Sequence, residues 1–161
     1  MRGLGYYGLA GVVFALDRLT KRIIEARVSV FDTHTIIPGF FDIVHARNRG
    51  AAFSMFADST SVWRPFFLIG LSLAALVLVA GILRNAARLD RPTAIGLALI
   101  LGGALGNVFD RIVSGAVTDF LDFYIGEMHW PAFNVADSAI VIGSGLLLIA
   151  LLRPKQQTAG A

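Results

Sequence analysis

The chain has 161 residues, 56% of them hydrophobic and only 16% charged, against roughly 45–50% and 25% in a soluble domain. No water-soluble core absorbs that much apolar surface at this length, so the excess faces lipid, and a single integral-membrane domain over residues 1–161 is expected. The formal charge of +3 is spread over helix ends and loops rather than gathered in a stripe, which argues against nucleic acid as a partner. The absence of cysteine excludes a thiol nucleophile, a disulfide framework and a Cys-ligated metal.

Four stretches free of Asp, Glu, Lys and Arg follow in order, at 4–16, 66–83, 93–109 and 138–152. A span needs about 20 residues, so the shorter stretches extend through polar positions. The expected spans are about 4–24, 63–83, 93–111 and 134–152. The first is followed by Asp17-Arg18-Leu19-Thr20-Lys21-Arg22 rather than by small residues suited to cleavage, and reads as a mature helix. The second opens on Trp63-Arg64-Pro65, an interfacial aromatic and a first-turn proline, and is closed by Arg84, Arg88 and Arg91. The third carries Gly102 and Gly106, spaced for close helix approach. Between the first two spans, Thr35-Ile36-Ile37 and Phe41-Asp42-Ile43-Val44-His45 flank the turn signal Pro38-Gly39 and predict a small sheet on the membrane surface. Between the last two, residues 112–131 are expected as a short loop or helix, with Trp130 as an interfacial anchor. The tail 154–161 is polar and reads as disordered.

Four spans put both termini on one side and the first and third loops on the other. That topology gathers Asp17, Lys21, the segment Asn48-Arg49-Gly50-Ala51-Ala52-Phe53, Asp110, Arg111, Asp119, Asn134 and Asp137 at one face. Lys and Arg divide almost evenly between the faces. Arg84, Arg88 and Arg91 crowd one short connection, however, which favours cytoplasmic termini.

Ionisable groups at membrane depth are costly and mark function or a partner. Asp17 and Lys21, spaced i, i+4, suit an intrahelical ion pair equally well. Asn134 and Asp137 match a capping box at the start of the fourth span. Asp119 sits in the β-prone, apolar Ala116-Val117-Thr118-Asp119-Phe120, where desolvation is expensive. Asp119 and Asp137 together suit a shared-proton dyad: adjacent like charges in low dielectric do not both ionise, so one acid takes a proton from water while the other donates to a scissile carbonyl. A proton relay in a proton-coupled transporter uses the same residue types, although its polar groups run through the depth of the membrane. A serine–lysine peptidase would need Lys21 with Ser54 or Ser138. A zinc peptidase would need His34, His45 or His129 in a ligand pattern, and no His-Glu-x-x-His occurs.

Five ordered motifs resemble the lipoprotein signal peptidase family over nearly the whole chain. They are Asp17-x-x-x-Lys21, Asn48-x-Gly50-Ala51-Ala52-Phe53, Gly102-Gly103-Ala104-Leu105-Gly106-Asn107-x-x-Asp110-Arg111, Val117-x-Asp119-Phe120 and Pro131-Ala132-Phe133-Asn134-x-Ala136-Asp137-Ser138. The resemblance implies an all-α membrane fold of four helices with a periplasmic β-cradle from the first loop. It implies catalytic Asp119 and Asp137, with Asp17, Lys21, Asn48, Gly103, Asn107, Arg111, Asn134 and Ala136 lining or bracing the substrate groove. It further implies a monomeric multi-pass enzyme of the bacterial inner membrane, with its active site near the periplasmic face and no cofactor or metal. Its partners would be membrane lipid and a diacylglyceryl-modified prolipoprotein, cut on the N-terminal side of the lipidated cysteine.

Overall fold

A computed structural model of the chain describes residues 2–50 and 63–153; the Ala51-Ala52-Phe53 part of the second motif, Ser54 and the polar tail lie outside them. Four long helices, α1 (Arg2–Arg27), α2 (Trp63–Leu83), α3 (Arg91–Ser114) and α4 (Val135–Leu152), are joined by two strand pairs, β1 (Thr33–Ile37) and β2 (Phe41–Asn48) between α1 and α2, and β3 (Val117–Ile125) and β4 (Met128–His129) between α3 and α4. By length and composition, Phe66–Leu83, Arg91–Ser114 and Val135–Leu152 are long and apolar enough to cross a membrane. The second half of α1 carries Asp17, Arg18, Lys21, Arg22 and Glu25, which lowers its hydropathy.

α3 is the central helix. Ala94, Leu97, Ala98, Leu101 and Val108 on α3 join Ala10, Leu76 and Leu83 of the neighbouring helices in one apolar core. Its start is set by Asp90, whose carboxylate accepts from the Thr93 N–H, and by a proline in the first turn. Its end is set by Gly115 at φ 69°, a left-handed position where glycine carries no Cβ penalty. That turn sends the chain straight into β3.

The segment after α3 corrects the expectation of a short loop or helix. Val117–Ile125 is a nine-residue strand, and with β4 it joins the first-loop strands in one antiparallel sheet ordered β1-β2-β3-β4. The alternation of β-branched and aromatic residues in Val117-Thr118-Asp119-Phe120-Leu121-Asp122-Phe123 is the physical reason. The register pairs Phe41 with Phe123, Ile43 with Leu121, Ala46 with Asp119 and Asn48 with Val117, so β2 holds one extra residue between Ile43 and Ala46. A one-residue shift reverses which face each side chain points to. Without the bulge, Asn48 would face away from Asp119. The other face of β3 rests on α1, where Thr118 donates from Oγ1 to Glu25 Oε1 at 2.8 Å.

Candidate active site

The site forms where β3 and the start of α4 meet the end of α3. Asn134 caps α4: its Oδ1 accepts from the Asp137 N–H at 2.9 Å, and its own N–H donates to Asp137 Oδ2 at 3.3 Å. An oxygen engaged with an N–H leaves the amide nitrogen facing the other way. Asn134 Nδ2 donates to Asp119 Oδ1 at 2.7 Å. The capping box and the carboxylate pair are therefore one structure, in which the Asn134 side chain links the Asp119 carboxylate to the backbone N–H of Asp137.

A second amide repeats this logic from α3. Lys21 Nζ lies 2.8 Å from Asp17 Oδ2, 2.7 Å from Asp110 Oδ2 and 3.0 Å from Asn107 Oδ1. An ammonium has three donors and no acceptor, so Asn107 must present its oxygen to Lys21 and its nitrogen elsewhere. That nitrogen donates to Asp137 Oδ1 at 2.8 Å. On the other side, Asn48 Nδ2 donates to Asp119 Oδ2 at 3.0 Å. Burial, followed by the proximity of Asp137, pushes the Asp119 carboxyl up to about 7, against the opposing bonds from Asn48 and Asn134.

Both acids open onto an apolar groove of about 660 Å³, lined by Asn48, Asn107, Arg111, Val117, Trp130, Phe133 and Ser138 beside the acids. Its membrane-side wall adds Ser72 and Ala75 of α2, Ile100 and Ala104 of α3, and Ile140, Val141 and Ile142 of α4. Arg111 reaches Gly50 O at 2.9 Å and Asn107 O at 3.2 Å; its buried Nε has no partner among the described residues. Among those residues it forms no ion pair with Asp17 or Asp110, whose partners are Lys21 and, for Asp110, Lys21 and Arg18.

Asp119, Asp137, Asn48, Asn107 and Arg111 thus line the groove, whereas Asp17, Lys21, Gly103, Asn134 and Ala136 brace it from behind. Asp17 and Lys21 are wholly buried, and Asp17 Oδ1 accepts from the Ala136 N–H at 3.0 Å, tying α1 to the first turn of α4. A Cβ on Gly103 would collide with the Ala136 carbonyl and one on Gly106 with the Asp17 carboxylate, so both glycines admit the approach of α4 and α1. Lys21 donates to Asp17 Oδ2 and Asn107 Oδ1 and is ion-paired with Asp110, and Ser138 Oγ donates to Asn134 O at 3.0 Å, which removes the Lys21–Ser138 nucleophile pair. The groove wall from α2 and α4 had no signature beyond hydropathy. Arg18 stood in the sequence as an unassigned position inside the first motif.

Paired acids on an amide frame, at the head of a groove walled by membrane-length helices, define a candidate membrane-embedded aspartic hydrolase. The family model for signal peptidase (SPase) II matches residues 9–153. The lipoprotein signal peptidase of Solibacter usitatus is 61% identical over 95% of this chain and 93% of its own, and that of Maridesulfovibrio salexigens 39% identical over 92% and 98%. A bacterial membrane enzyme solved by the in meso method at 2.3 Å resolution superposes with a TM-score of 0.83 at 31% identity, covering 98% of this chain and 93% of that one. The chain belongs to the signal peptidase II family, and is accordingly a protease of the aspartic type.

Proposed function

We propose that this chain removes signal peptides from diacylglyceryl-modified prolipoproteins, cutting N-terminal to the lipidated cysteine, with Asp119 and Asp137 as the catalytic pair. The single observation that carries the assignment is the bridge from Asn134 to both acids, from Oδ1 to the Asp137 N–H and from Nδ2 to Asp119 Oδ1 at 2.7 Å. A carboxyl held up to about 7 keeps a proton near neutrality, so Asp119 is the group that donates to the scissile carbonyl oxygen. Asp137 takes a proton from the attacking water, whose oxygen bonds to the carbonyl carbon. The tetrahedral adduct then collapses, the C–N bond breaks, and the proton gained by Asp137 passes to the departing amine. Asp119 recovers its proton from the adduct's hydroxyl. Arg111 and Asn48 line the groove beside the acids, and in this reading they hold the substrate backbone.

Four membrane crossings, with cytoplasmic termini and the sheet outside, complete this reading. α1 is 26 residues long, about 39 Å at 1.5 Å per residue, and sufficient to span. Its polarity is inverted relative to a soluble helix: Val12, Leu16, Leu19 and Ile23 form an exposed apolar stripe, while Asp17 and Lys21 point inward and are wholly buried. That pattern suits a lipid exterior. The groove runs from the acids down between α2 and α4, and an apolar signal segment with its lipidated cysteine can enter there sideways from the bilayer.

The test is cleavage of a synthetic diacylglyceryl-prolipoprotein by purified protein in detergent. Asp119→Asn and Asp137→Asn are each expected to fall to background while remaining folded and membrane-inserted, since an amide cannot exchange the required proton. Near-wild-type turnover by either variant overturns the assignment.

A further inference from the structure

Behind the acids lies a second charged group whose balance the reaction has not used. Asp17 and Asp110, both buried, share Lys21. Two carboxylates against one ammonium leave a surplus negative charge. Arg18 removes it: its Nη1 pairs with Asp110 Oδ1, and its guanidinium lies 4.7 Å from the centre of the Phe109 ring, which shields the pair on the outer surface of the bundle. Phe109 is in turn held edge-on by Phe14 of α1 at 5.9 Å. The network Arg18–Asp110–Lys21–Asp17 is then neutral, and Lys21, ion-paired with Asp110, directs its hydrogen bonds to Asp17 Oδ2 and Asn107 Oδ1.

We propose that Arg18 is a positioning residue for the carboxylate pair: by neutralising Asp110 it keeps Lys21 on Asn107 and so keeps the amide nitrogen of Asn107 turned toward Asp137. Without Arg18, Lys21 is drawn into the doubly acidic site, the Asn107 oxygen loses its charged partner, and the amide is free to turn its oxygen on the Asp137 carboxylate. An uncompensated negative charge also comes to stand behind the dyad. Among the described residues, the charged groups on the elements packed around the pair include Asp17, Arg18, Lys21 and Glu25 from α1, Arg47 from β2, whose guanidinium donates to Ser114 O, and Asp110 and Arg111 from α3. α2 carries no titratable residue between Phe66 and Leu83. The inference rests on Asp119 and Asp137 being the catalytic pair.

The measurement is the pH–rate profile of the purified enzyme on a diacylglyceryl-prolipoprotein, taken beside its melting temperature. Arg18→Met leaves one net negative charge and is expected to move both limbs to higher pH by about half a unit or more, because nearby negative charge favours the protonated dyad. Asp110→Asn leaves one net positive charge and moves them to lower pH. The double variant is neutral and restores the wild-type limbs, and Arg18→Lys, which keeps the charge, leaves them unmoved even where it melts earlier. Limbs that stay fixed in both single variants, that move the same way in both, or that move equally in Arg18→Lys and Arg18→Met overturn the proposal. Failure of the dyad reading is seen separately, as activity surviving in Asp119→Asn or Asp137→Asn.

Discussion

A proton held on Asp119 has a stability signature independent of turnover. Its carboxyl is raised from 3.8 to about 7, and at 3% exposure little solvent screening applies. Between those values the native state keeps a proton that the unfolded chain has released, so folding is penalised increasingly as pH rises from about 4 to about 7, and by a constant amount above that. At about 1.36 kcal/mol per unit the full penalty is about 4 kcal/mol. Asp119→Asn abolishes the titration, but an amide faces two N–H donors, Asn48 Nδ2 and Asn134 Nδ2, where the carboxylate accepted both. One of those bonds is lost at every pH, at a cost of about 1–3 kcal/mol. The variant is therefore expected to melt below wild type at pH 4 and above it at pH 8, with a total swing of about 10 °C at roughly 2–4 °C per kcal/mol for a chain of this size. Tryptophan fluorescence melts in matched detergent buffers from pH 4 to pH 9 measure it. A difference between the two proteins that stays constant across that range would refute the claim that Asp119 carries the proton.

Three further outcomes are expected. EDTA leaves cleavage unchanged, since no three of His, Asp and Glu gather into a metal-binding group among the described residues; loss of activity restored by added zinc would point to a metallopeptidase instead. In the orientation proposed here, a cysteine introduced at Thr33 reacts with an impermeant thiol reagent in intact spheroplasts and one at Asn85 does not, and the reverse pattern would invert the topology. Arg111→Lys weakens processing about tenfold at limiting substrate with little change in melting temperature, because Arg111 lines the groove and a lysine cannot offer a substrate carbonyl the paired donors of a planar guanidinium; a large stability loss with normal kinetics in the folded fraction would make Arg111 purely structural, through its bonds to Gly50 O and Asn107 O.

How much of this was readable in the sequence depends on the range of the interaction concerned. Helices α2 to α4 follow from hydropathy, and the capping box from Asn134 and Asp137 alone, because both signals are local. The β3 strand was half readable: Asp119 stood out as an acid in a β-prone run, but its pairing with β2, across some seventy residues, leaves no local trace. The bulge that turns Asn48 toward Asp119 leaves none either. Most instructive is Asn134, for which spacing offers capping and a place in the site as competing readings. The side chain has two ends, and the structure uses Oδ1 for the cap and Nδ2 for Asp119. The same economy governs Asn107, whose orientation is dictated by a lysine that never reaches the groove. Amides carry no charge of their own, so in the function proposed here the pair framed by Asn48, Asn107 and Asn134 exchanges a proton with no ion pair clamping either acid among the described residues. The charges that orient this frame sit one layer behind it, where Asp17, Lys21, Asp110 and Arg18 compensate one another within the helix bundle.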